Sequence, residues 1–209
     1  MKSRRRILQR AGAALIGMPW LLTGARAQPA PLRLTPRQTE GPFYPLQLPA
    51  DSDADLLRNG ARSYARGQPL DLLGSVRDLD GRPVRGARVE IWQCDAGGHY
   101  HHPGDGNRAD ADFQGFGATL VDADGAYRFR TLRPVAYGGR TPHIHVKVRL
   151  GQRTLLTTQM YVQGEPGNER DFLVRSLTDP ADRIALLRPL QAQPDGLWRG
   201  EFPIVVAAA

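Results

Sequence analysis

The sequence predicts an all-β protein, an antiparallel β-sandwich with long inserted loops and little helix. Short segments of alternating apolar and polar residues recur between residues 70 and 206. Asp-Gly pairs at 80–81 and 124–125 separate such segments, as tight turns between paired strands do. Helical spacing of apolar residues occurs in one stretch only, residues 179–190. Many short strands joined by such turns are typical of two packed antiparallel sheets.

Taken in order, the alternating segments define the predicted strands. These strands cover residues 72–77, 87–93, 116–121, 126–131, 143–150, 155–162 and 198–206. Residues 94–115 interrupt the pattern with five glycines, four aspartates and three of the five histidines, so we interpret them as a functional loop. The pair Asp179-Pro180 is typical of a helix start. The helix would bury one apolar face made of Ile184, Leu186, Leu187 and Leu190.

Three segments are expected along the chain. Residues 1–27 have the pattern of a cleaved export signal: a basic start, an apolar run and Ala25-Arg26-Ala27, a small-x-small cleavage site. Residues 28–69 form an extended amino-terminal arm and loop, because they are rich in proline and polar residues. Residues 70–209 form the β-sandwich domain.

The signal predicts a periplasmic or secreted protein after cleavage near Ala27/Gln28. Residues 3–8 resemble a twin-arginine signal, and the general secretion route is the alternative. The apolar run at 11–22 is shorter than a membrane-spanning helix requires, so no stable membrane anchor is expected.

The net charge of +7 comes mainly from the predicted signal. Residues 1–27 hold six of the 28 lysines and arginines and no acidic residue. The rest of the chain has 22 basic against 21 acidic residues, so no nucleic-acid partner is expected. Cys94 is the single cysteine, which excludes an intramolecular disulfide and a zinc centre made of thiolates. We interpret Cys94 as a small buried residue.

Histidine and tyrosine residues concentrate in two places. All five histidines lie at 99–102 or 143–145, and Tyr100 and Tyr137 lie within or beside these segments. Strand alternation places His143 and His145 on one face of an extended segment. Imidazole supplies neutral nitrogen, and a trivalent cation lowers the pKa of tyrosine enough to give an anionic phenolate. Ferric iron accepts this mixed ligation. A His-x-His pair alone is more often a structural feature than a ligand set, but the clustering of all histidines with two tyrosines favours a metal site.

The same residues resemble a known family. Residues 39–45, 91–93, 98–100, 137–145 and 158–161 occur in the order that is seen in intradiol ring-cleavage dioxygenases. This is the superfamily of protocatechuate 3,4-dioxygenase and catechol 1,2-dioxygenase, and the chain is similar to its short, exported, single-domain members. The resemblance covers most of residues 35–165.

The resemblance implies a non-haem Fe(III) site. Its ligands would be Tyr100 and His143 in the equatorial plane, with Tyr137 and His145 as the axial pair. Arg140 would face the bound substrate, Gln159 would support it from outside the ligand set, and Tyr137 would also take part in the chemistry. The sandwich at 70–209 would then be a catalytic domain. The implied partners are a small aromatic diol and dioxygen.

The implied reaction cleaves a catechol-type ring between its two hydroxyl-bearing carbons and gives a muconate-type dicarboxylic acid. Only Gly138 and Gly139 separate Tyr137 from Arg140, where the larger ring-cleaving enzymes carry a longer loop. The identity of the catechol therefore stays open. The oligomeric state stays open as well, with a homo-oligomer included.

Two other functions compete with this interpretation. A non-catalytic transthyretin-like or carboxypeptidase-regulatory-like binding sandwich shares the segments 83–87 and 124–129, but lacks the tyrosine, arginine and His-x-His set. An exported copper or zinc protein would instead use the histidine-rich loop. For His101 and His102 we place a solvated role first and an accessory role at the site second.

Overall fold

Two five-stranded sheets and a small hairpin form the described part of the protein, which confirms the predicted all-β sandwich. The computed structural model describes residues 32–207, so the predicted export signal lies outside the described residues. Within this range, no helix is long and apolar enough to cross a membrane. The strands are β1 (Arg58–Asn59), β2 (Arg62–Ser63), β3 (Pro69–Arg77), β4 (Ala87–Trp92), β5 (Phe116–Leu120), β6 (Ala126–Leu132), β7 (His143–Leu150), β8 (Arg153–Val162), β9 (Leu187–Arg188), β10 (Leu190–Ala192), β11 (Trp198–Glu201) and β12 (Ile204–Val205). Two short helices, α1 (Phe172–Arg175) and α2 (Pro180–Leu186), follow β8.

Strand β3 is the centre of the first sheet. It pairs with β6 in antiparallel orientation and with β11 and β12 in parallel, and β10 extends the sheet beyond β11. The second sheet has the order β5-β4-β7-β8-β9 and is antiparallel except for the β8–β9 pair. Three parallel pairings are thus embedded in an otherwise antiparallel sandwich.

The two sheets share one hydrophobic core. Leu70 and Leu72 of β3 are fully buried, as are Ile144 and Val146 of β7, and all four belong to the same cluster of apolar side chains. On β3 the alternation of the pleated strand points these leucines to one face. Packing of the two inner faces against each other defines the sandwich.

Strand β7 lies in the middle of the second sheet, between β4 and β8. Its register places His145 opposite Trp92 on β4 and opposite Gln159 on β8. His143 lies opposite Tyr161 on β8. The first residues of β7 are therefore framed by polar and aromatic side chains from both neighbouring strands.

The predicted helix over residues 179–190 is wrong in its extent. Helix α2 ends at Leu186, and Ile184, which was assigned to the buried face, is 70% exposed. Leu187 has an extended ψ of 106° and begins β9, which pairs with the end of β8. Sheet pairing satisfies the backbone groups of residues 187–188, which accounts for the early end of the helix. Helix α1 was not predicted.

The predicted closing strand over residues 198–206 is divided into β11 and β12. Pro203 lies between them and has no N–H group to donate to a neighbouring strand. The N–H of Phe202 still donates to the carbonyl of Leu73, at 2.8 Å, so the chain stays alongside β3 through the interruption.

Candidate metal centre

Four aromatic rings surround one small volume at the start of β7. The ring centroids of Tyr100 and Tyr137 are 4.9 Å apart, and those of Tyr137 and His143 are 5.4 Å apart. The circuit closes through His143 and His145 at 4.9 Å, and through His145 and Tyr100 at 6.1 Å. The structure thus brings together all four residues that the sequence predicts as metal ligands.

Both imidazoles are held by groups outside this ring cluster. The side chains of His143 and His145 come from β7, and each residue is 1% exposed. The Nδ1 of His143 lies 2.6 Å from the carbonyl oxygen of Thr141, which can only accept, so Nδ1 carries the hydrogen and Nε2 keeps its lone pair. Trp92 stacks on His145 with 4.8 Å between ring centroids and 7° between ring planes.

Tyr100 comes from the long loop between β4 and β5. Its N–H donates to Oδ2 of Asp105 at 2.8 Å, and the ring of Phe43 stacks on its ring at 4.7 Å between centroids. The buried carboxylate of Asp95 accepts three hydrogen bonds from backbone N–H groups of the same loop. These contacts hold the Tyr100 side chain, which is 2% exposed, against the two histidines.

Tyr137 and Arg140 flank a tight turn. Gly138 has a φ of +50° and Gly139 a φ of +80°, both in the left-handed region, and the N–H of Arg140 donates to the Tyr137 carbonyl at 2.7 Å. Two successive left-handed residues define the hairpin turn that glycine pairs favour. The turn places the backbones of Tyr137 and Arg140 side by side, which explains why two glycines separate them.

Several polar atoms of the ring cluster are buried without a hydrogen-bond partner. They are Oη of Tyr100, Nε2 of His143 and both ring nitrogens of His145. Leaving one such atom unpaired costs about 1–3 kcal/mol, and most buried polar atoms in native proteins are paired. A cation bound between the rings would accept lone pairs from several of these atoms at once. The residues therefore fit a metal ion, and a phenolate-rich set suits ferric iron.

Burial determines the protonation states of these ligand candidates. Burial, with the charge of Arg140 second, lowers the pKa of His143 to about 4. Burial also lowers the pKa of His145 well below its usual value, so both imidazoles are neutral at pH 7, as metal ligands must be. Burial raises the pKa of Tyr100 well above its usual value, and that of Tyr137 as well. Either phenolate therefore requires a strong positive charge beside it, which a ferric ion supplies.

A buried carboxylate anchors Arg140 next to the rings. The Nε of Arg140 donates to Oδ2 of Asp171 at 2.7 Å, and Nη2 donates to Oε1 of Gln159 at 2.8 Å. The side chains of Arg140 and Asp171 are 12% and 0% exposed. Asp171 also accepts from the N–H of Thr141 at 3.0 Å and caps the start of α1. Burial alone would raise the pKa of Asp171, but the bonds from Arg140 and Thr141 outweigh it and lower that pKa, so Asp171 is ionised at neutral pH.

Residues 38–44 pass over the ring cluster. The carbonyl of Thr39 accepts from Nε2 of Gln159 at 2.9 Å. Gly41, with a φ of +72°, lies so close to His145 that an added Cβ would be 3.1 Å from Cε1 of the imidazole. Phe43 contacts Tyr137 as well as Tyr100. This segment, which we call the covering segment, therefore shields the rings, and only glycine permits the close approach at residue 41.

An ion pair fastens the covering segment to β7. The Nζ of Lys147 lies 2.5 Å from Oε2 of Glu40 and 3.3 Å from the ring centroid of Tyr44. The Oη of Tyr44 in turn donates to the buried carboxylate of Glu90 at 2.8 Å. Charge and aromatic contacts thus complement the backbone contact at Gly41.

The other three histidines do not join the ring cluster. The Nδ1 of His99 lies 3.4 Å from Oδ2 of Asp105, and Nε2 of His101 lies 2.6 Å from the carbonyl of Phe113. The Nδ1 of His102 accepts from a backbone N–H two residues later. His101 and His102 thus have hydrogen-bond partners outside the ring cluster. Within residues 32–207, no group of three or more histidine, cysteine or carboxylate side chains is arranged to bind a metal.

Comparison with known proteins identifies the family. A family model described as "Dioxygenase" (Dioxygenase_C) matches residues 39–204. The protocatechuate 3,4-dioxygenase beta chain of Burkholderia cepacia is 34% identical, over 84% of this chain and 80% of its own length. The chain belongs to the intradiol ring-cleavage dioxygenase family.

Further intradiol dioxygenase relatives agree in sequence and in structure. Catechol 1,2-dioxygenase 1 of Acinetobacter lwoffii is 35% identical over 79% of this chain, which spans 56% of that relative. The dioxygenase domain of a dioxygenase carbohydrate-binding protein fusion from Streptomyces sp. SirexAA-E superimposes with a TM-score of 0.67 and 34% identity, over 85% of this chain and 100% of that domain. The predicted enzyme class is confirmed, and it is favoured over the non-catalytic binding sandwich.

Sequence reasoning missed Asp171 beside this intradiol dioxygenase site. An aspartate before Phe-Leu-Val has the pattern of a helix N-cap, which would have predicted the start of α1. The contact with Arg140 spans 31 residues and has no local sequence signal. Trp92 and Phe43, to which the sequence analysis assigns no role, contact His145 and Tyr100 directly.

Proposed function

We propose that this chain is a non-haem Fe(III) dioxygenase that cleaves a catechol-type ring between its two hydroxyl-bearing carbons, using dioxygen. The product would be a muconate-type dicarboxylic acid. Tyr100, Tyr137, His143 and His145 would bind the iron. The observation that carries the proposal is the convergence of two phenols and two neutral imidazoles, in which Oη of Tyr100, Nε2 of His143 and both ring nitrogens of His145 are buried without a hydrogen-bond partner. We also propose that the protein acts after export, on the strength of the signal pattern in residues 1–27.

Ferric iron, when bound, supplies a Lewis-acidic and redox-active centre at which an aromatic diol and dioxygen can react. Three of the four side chains around that centre, Tyr100, His143 and His145, are buried, and charges act more strongly at a buried site than in water. The two histidines are fixed through Thr141 and Trp92, and Tyr100 is fixed through its loop. His143, His145 and Tyr100 would thus be presented to the ion in a preorganised arrangement.

Tyr137 and Arg140 are the groups that the substrate would meet. Both line a cleft that opens beside the ring cluster. Burial raises the pKa of Tyr137, which makes its phenolate oxygen a good acceptor for a proton from the diol. Arg140 has a fixed charge that would stabilise negative charge developing on the ring. Gln159 accepts a hydrogen bond from Arg140 and donates one to the Thr39 carbonyl of the covering segment.

Oxygen uptake with a panel of catechols tests the proposal. Purified protein loaded with iron should consume dioxygen with at least one diol and form a product with muconate-type absorbance. Metal analysis of the purified protein distinguishes iron from copper and zinc, and so tests the alternative of an exported copper or zinc protein. Absence of uptake with every diol, or copper or zinc in place of iron, would reject the proposed function.

Tyrosine ligation is expected to colour the protein. Phenolate-to-iron charge transfer gives visible absorption, so Tyr100→Phe and Tyr137→Phe should each weaken the visible band of the iron-loaded protein. Tyr64→Phe is the matched control, because Tyr64 packs against Phe113, away from the ring cluster. Full retention of the band in both variants would remove these tyrosines from the ligand set.

Arg140→Lys is expected to leave iron bound and to slow turnover. Lysine keeps the charge but lacks the planar guanidinium group, which donates to Asp171 and to Gln159 at the same time. Removal of one preorganised electrostatic group typically lowers kcat by about 10²-fold or more. Iron content and steady-state kinetics measure the two effects separately. Loss of iron from this variant would mean that Arg140 supports the metal rather than the substrate.

A further inference from the structure

A cleft beside Tyr137 and Arg140 is larger than a bare catechol requires. Its volume is about 570 Å³. It is lined by residues 136–142 together with Glu165, Gly167 and Arg170. Cavities of roughly 300–1,000 Å³ accommodate drug-sized ligands. If the aromatic diol lies at the four-ring cluster of the protein, the cleft therefore leaves space for a substituent on that diol.

The glycine turn keeps this cleft wide. A Cβ added at Gly138 or at Gly139 would meet no atom within 4 Å. The turn therefore borders open space at residues 138 and 139.

One positive charge at the cleft is not neutralised. Glu165 pairs with Arg133, and Arg140 pairs with Asp171. The guanidinium of Arg170 has no ion pair or hydrogen bond with any residue of the described range 32–207, and the residue is exposed. Its backbone N–H ends the 3-10 turn Pro166–Glu169 by donating to the carbonyl of Gly167 at 3.0 Å. The backbone of Arg170 is thus fixed while its side chain is available.

An apolar surface accompanies this charge. Phe172 is 66% exposed although it is aromatic, and its ring centroid lies 5.4 Å from Cζ of Arg140. This contact places the ring next to Arg140, a residue that lines the cleft. Arg170, which lines the cleft, and Phe172, which contacts Arg140 of the cleft lining, flank the anchored Asp171 in the sequence.

We propose that Arg170 determines specificity and that the preferred substrate is a catechol with an extended, negatively charged substituent. The planar fork of arginine matches a carboxylate, and a charge-assisted hydrogen bond is stronger than a neutral one. The stem of the substituent would lie against Phe172. This inference rests on the proposed ring-cleavage function.

Three probes separate charge from size. They are unsubstituted catechol, a catechol with a propanoate side chain, and the methyl ester of that compound. For wild-type iron-loaded protein, KM should be lowest for the propanoate compound. Arg170→Gln should raise KM for that compound about tenfold, the loss expected for one charge-assisted hydrogen bond, and leave KM for the ester and for catechol within about twofold. Arg170→Glu should raise it further, and added salt should reduce the difference.

Arg175→Gln is the matched control, because Arg175 is an exposed arginine at the end of α1 that does not line the cleft. Calorimetric titration without oxygen should give Kd values that rank the three compounds in the same order as KM does. Agreement of the two rankings would show that the substitution changes binding rather than the chemical step. Equal effects of Arg170→Gln on acid and ester, or equal effects of the two arginine variants, would overturn the inference while the proposed function stands. Failure of the wild-type protein to turn over any of the three would overturn both.

Discussion

Replacing His143 with alanine is expected to abolish iron binding and, with it, ring cleavage. His143 is 1% exposed, and Thr141 fixes its Nδ1, so Nε2 is committed to the volume between the four rings. Loss of a residue that only supports a ligand already costs 10–100-fold in metal affinity or activity, so loss of a ligand itself should cost more than about 100-fold. Iron per chain and oxygen uptake with catechol measure the two losses.

His101→Ala provides the control for this experiment. His101 is a histidine of the loop between β4 and β5, and its Nε2 contacts the carbonyl of Phe113 rather than the ring cluster. The control should bind iron like the wild-type protein. Circular dichroism should show that both variants keep the β-sheet signal. Full iron content in His143→Ala, or an equal loss in His101→Ala, would contradict the proposed ligand set.

Asp171→Ala is expected to destabilise the protein by about 3–5 kcal/mol, the cost of leaving one partner of a buried ion pair unpaired. The guanidinium of Arg140, which is 12% exposed, would lose its counter-charge. The N–H of Thr141 and the start of α1 would lose their acceptors at the same time. Urea unfolding of the metal-free proteins measures this difference in the free energy of unfolding. Turnover by the iron-loaded variant should fall as well, because Arg140 is no longer held beside Tyr137.

Asp179→Ala is the matched control for the change at Asp171. Asp179 is the N-cap of α2 and pairs with Arg33, but this pair is exposed, with side-chain exposures of 55% for Arg33 and 44% for Asp179. Loss of a helix cap and an exposed pair should destabilise the protein much less than loss of the buried pair does. Equal destabilisation by the two substitutions would show that the buried pair adds nothing to the cap.

The pH dependence of the Asp171 effect has a defined sign. The pKa of Asp171 is lowered in the folded protein, so its contribution is fully present above the pKa of an unfolded aspartate. That contribution is lost as the pH falls through the lowered value. The difference in unfolding free energy between wild type and Asp171→Ala should therefore be largest near neutral pH and should shrink in acid.

The strands and the ligand pair on β7 were accessible to sequence reasoning because alternation is a local signal. The predicted strand over residues 143–150 has the same bounds in the structure, and its register on β8 sets Gln159 opposite His145. The helix over residues 179–190 was predicted too long because apolar spacing does not show that the backbone of Leu187 pairs with β8. A local pattern does not show that sheet pairing replaces the helix at these residues.

Contacts between distant segments account for the rest. Tyr100 was placed at the site by family resemblance. A loop has no regular periodicity, and its composition does not indicate which strand a side chain will contact. The ion pair of Arg140 with Asp171 and the approach of Gly41 to His145 join residues that have no common pattern in the sequence. The chemistry of the candidate site was readable from residue types, whereas the groups that position it required the folded chain.

The covering segment has a consequence for the order of assembly. Gly41 and Phe43 reach His145 and Tyr100 from far along the chain, and the ion pair of Lys147 with Glu40 holds them there. Contacts of such long separation form late, because the closure of a large loop is costly before the sheets exist. The sheet that carries His143 and His145 would therefore form before the covering segment closes over the two imidazoles.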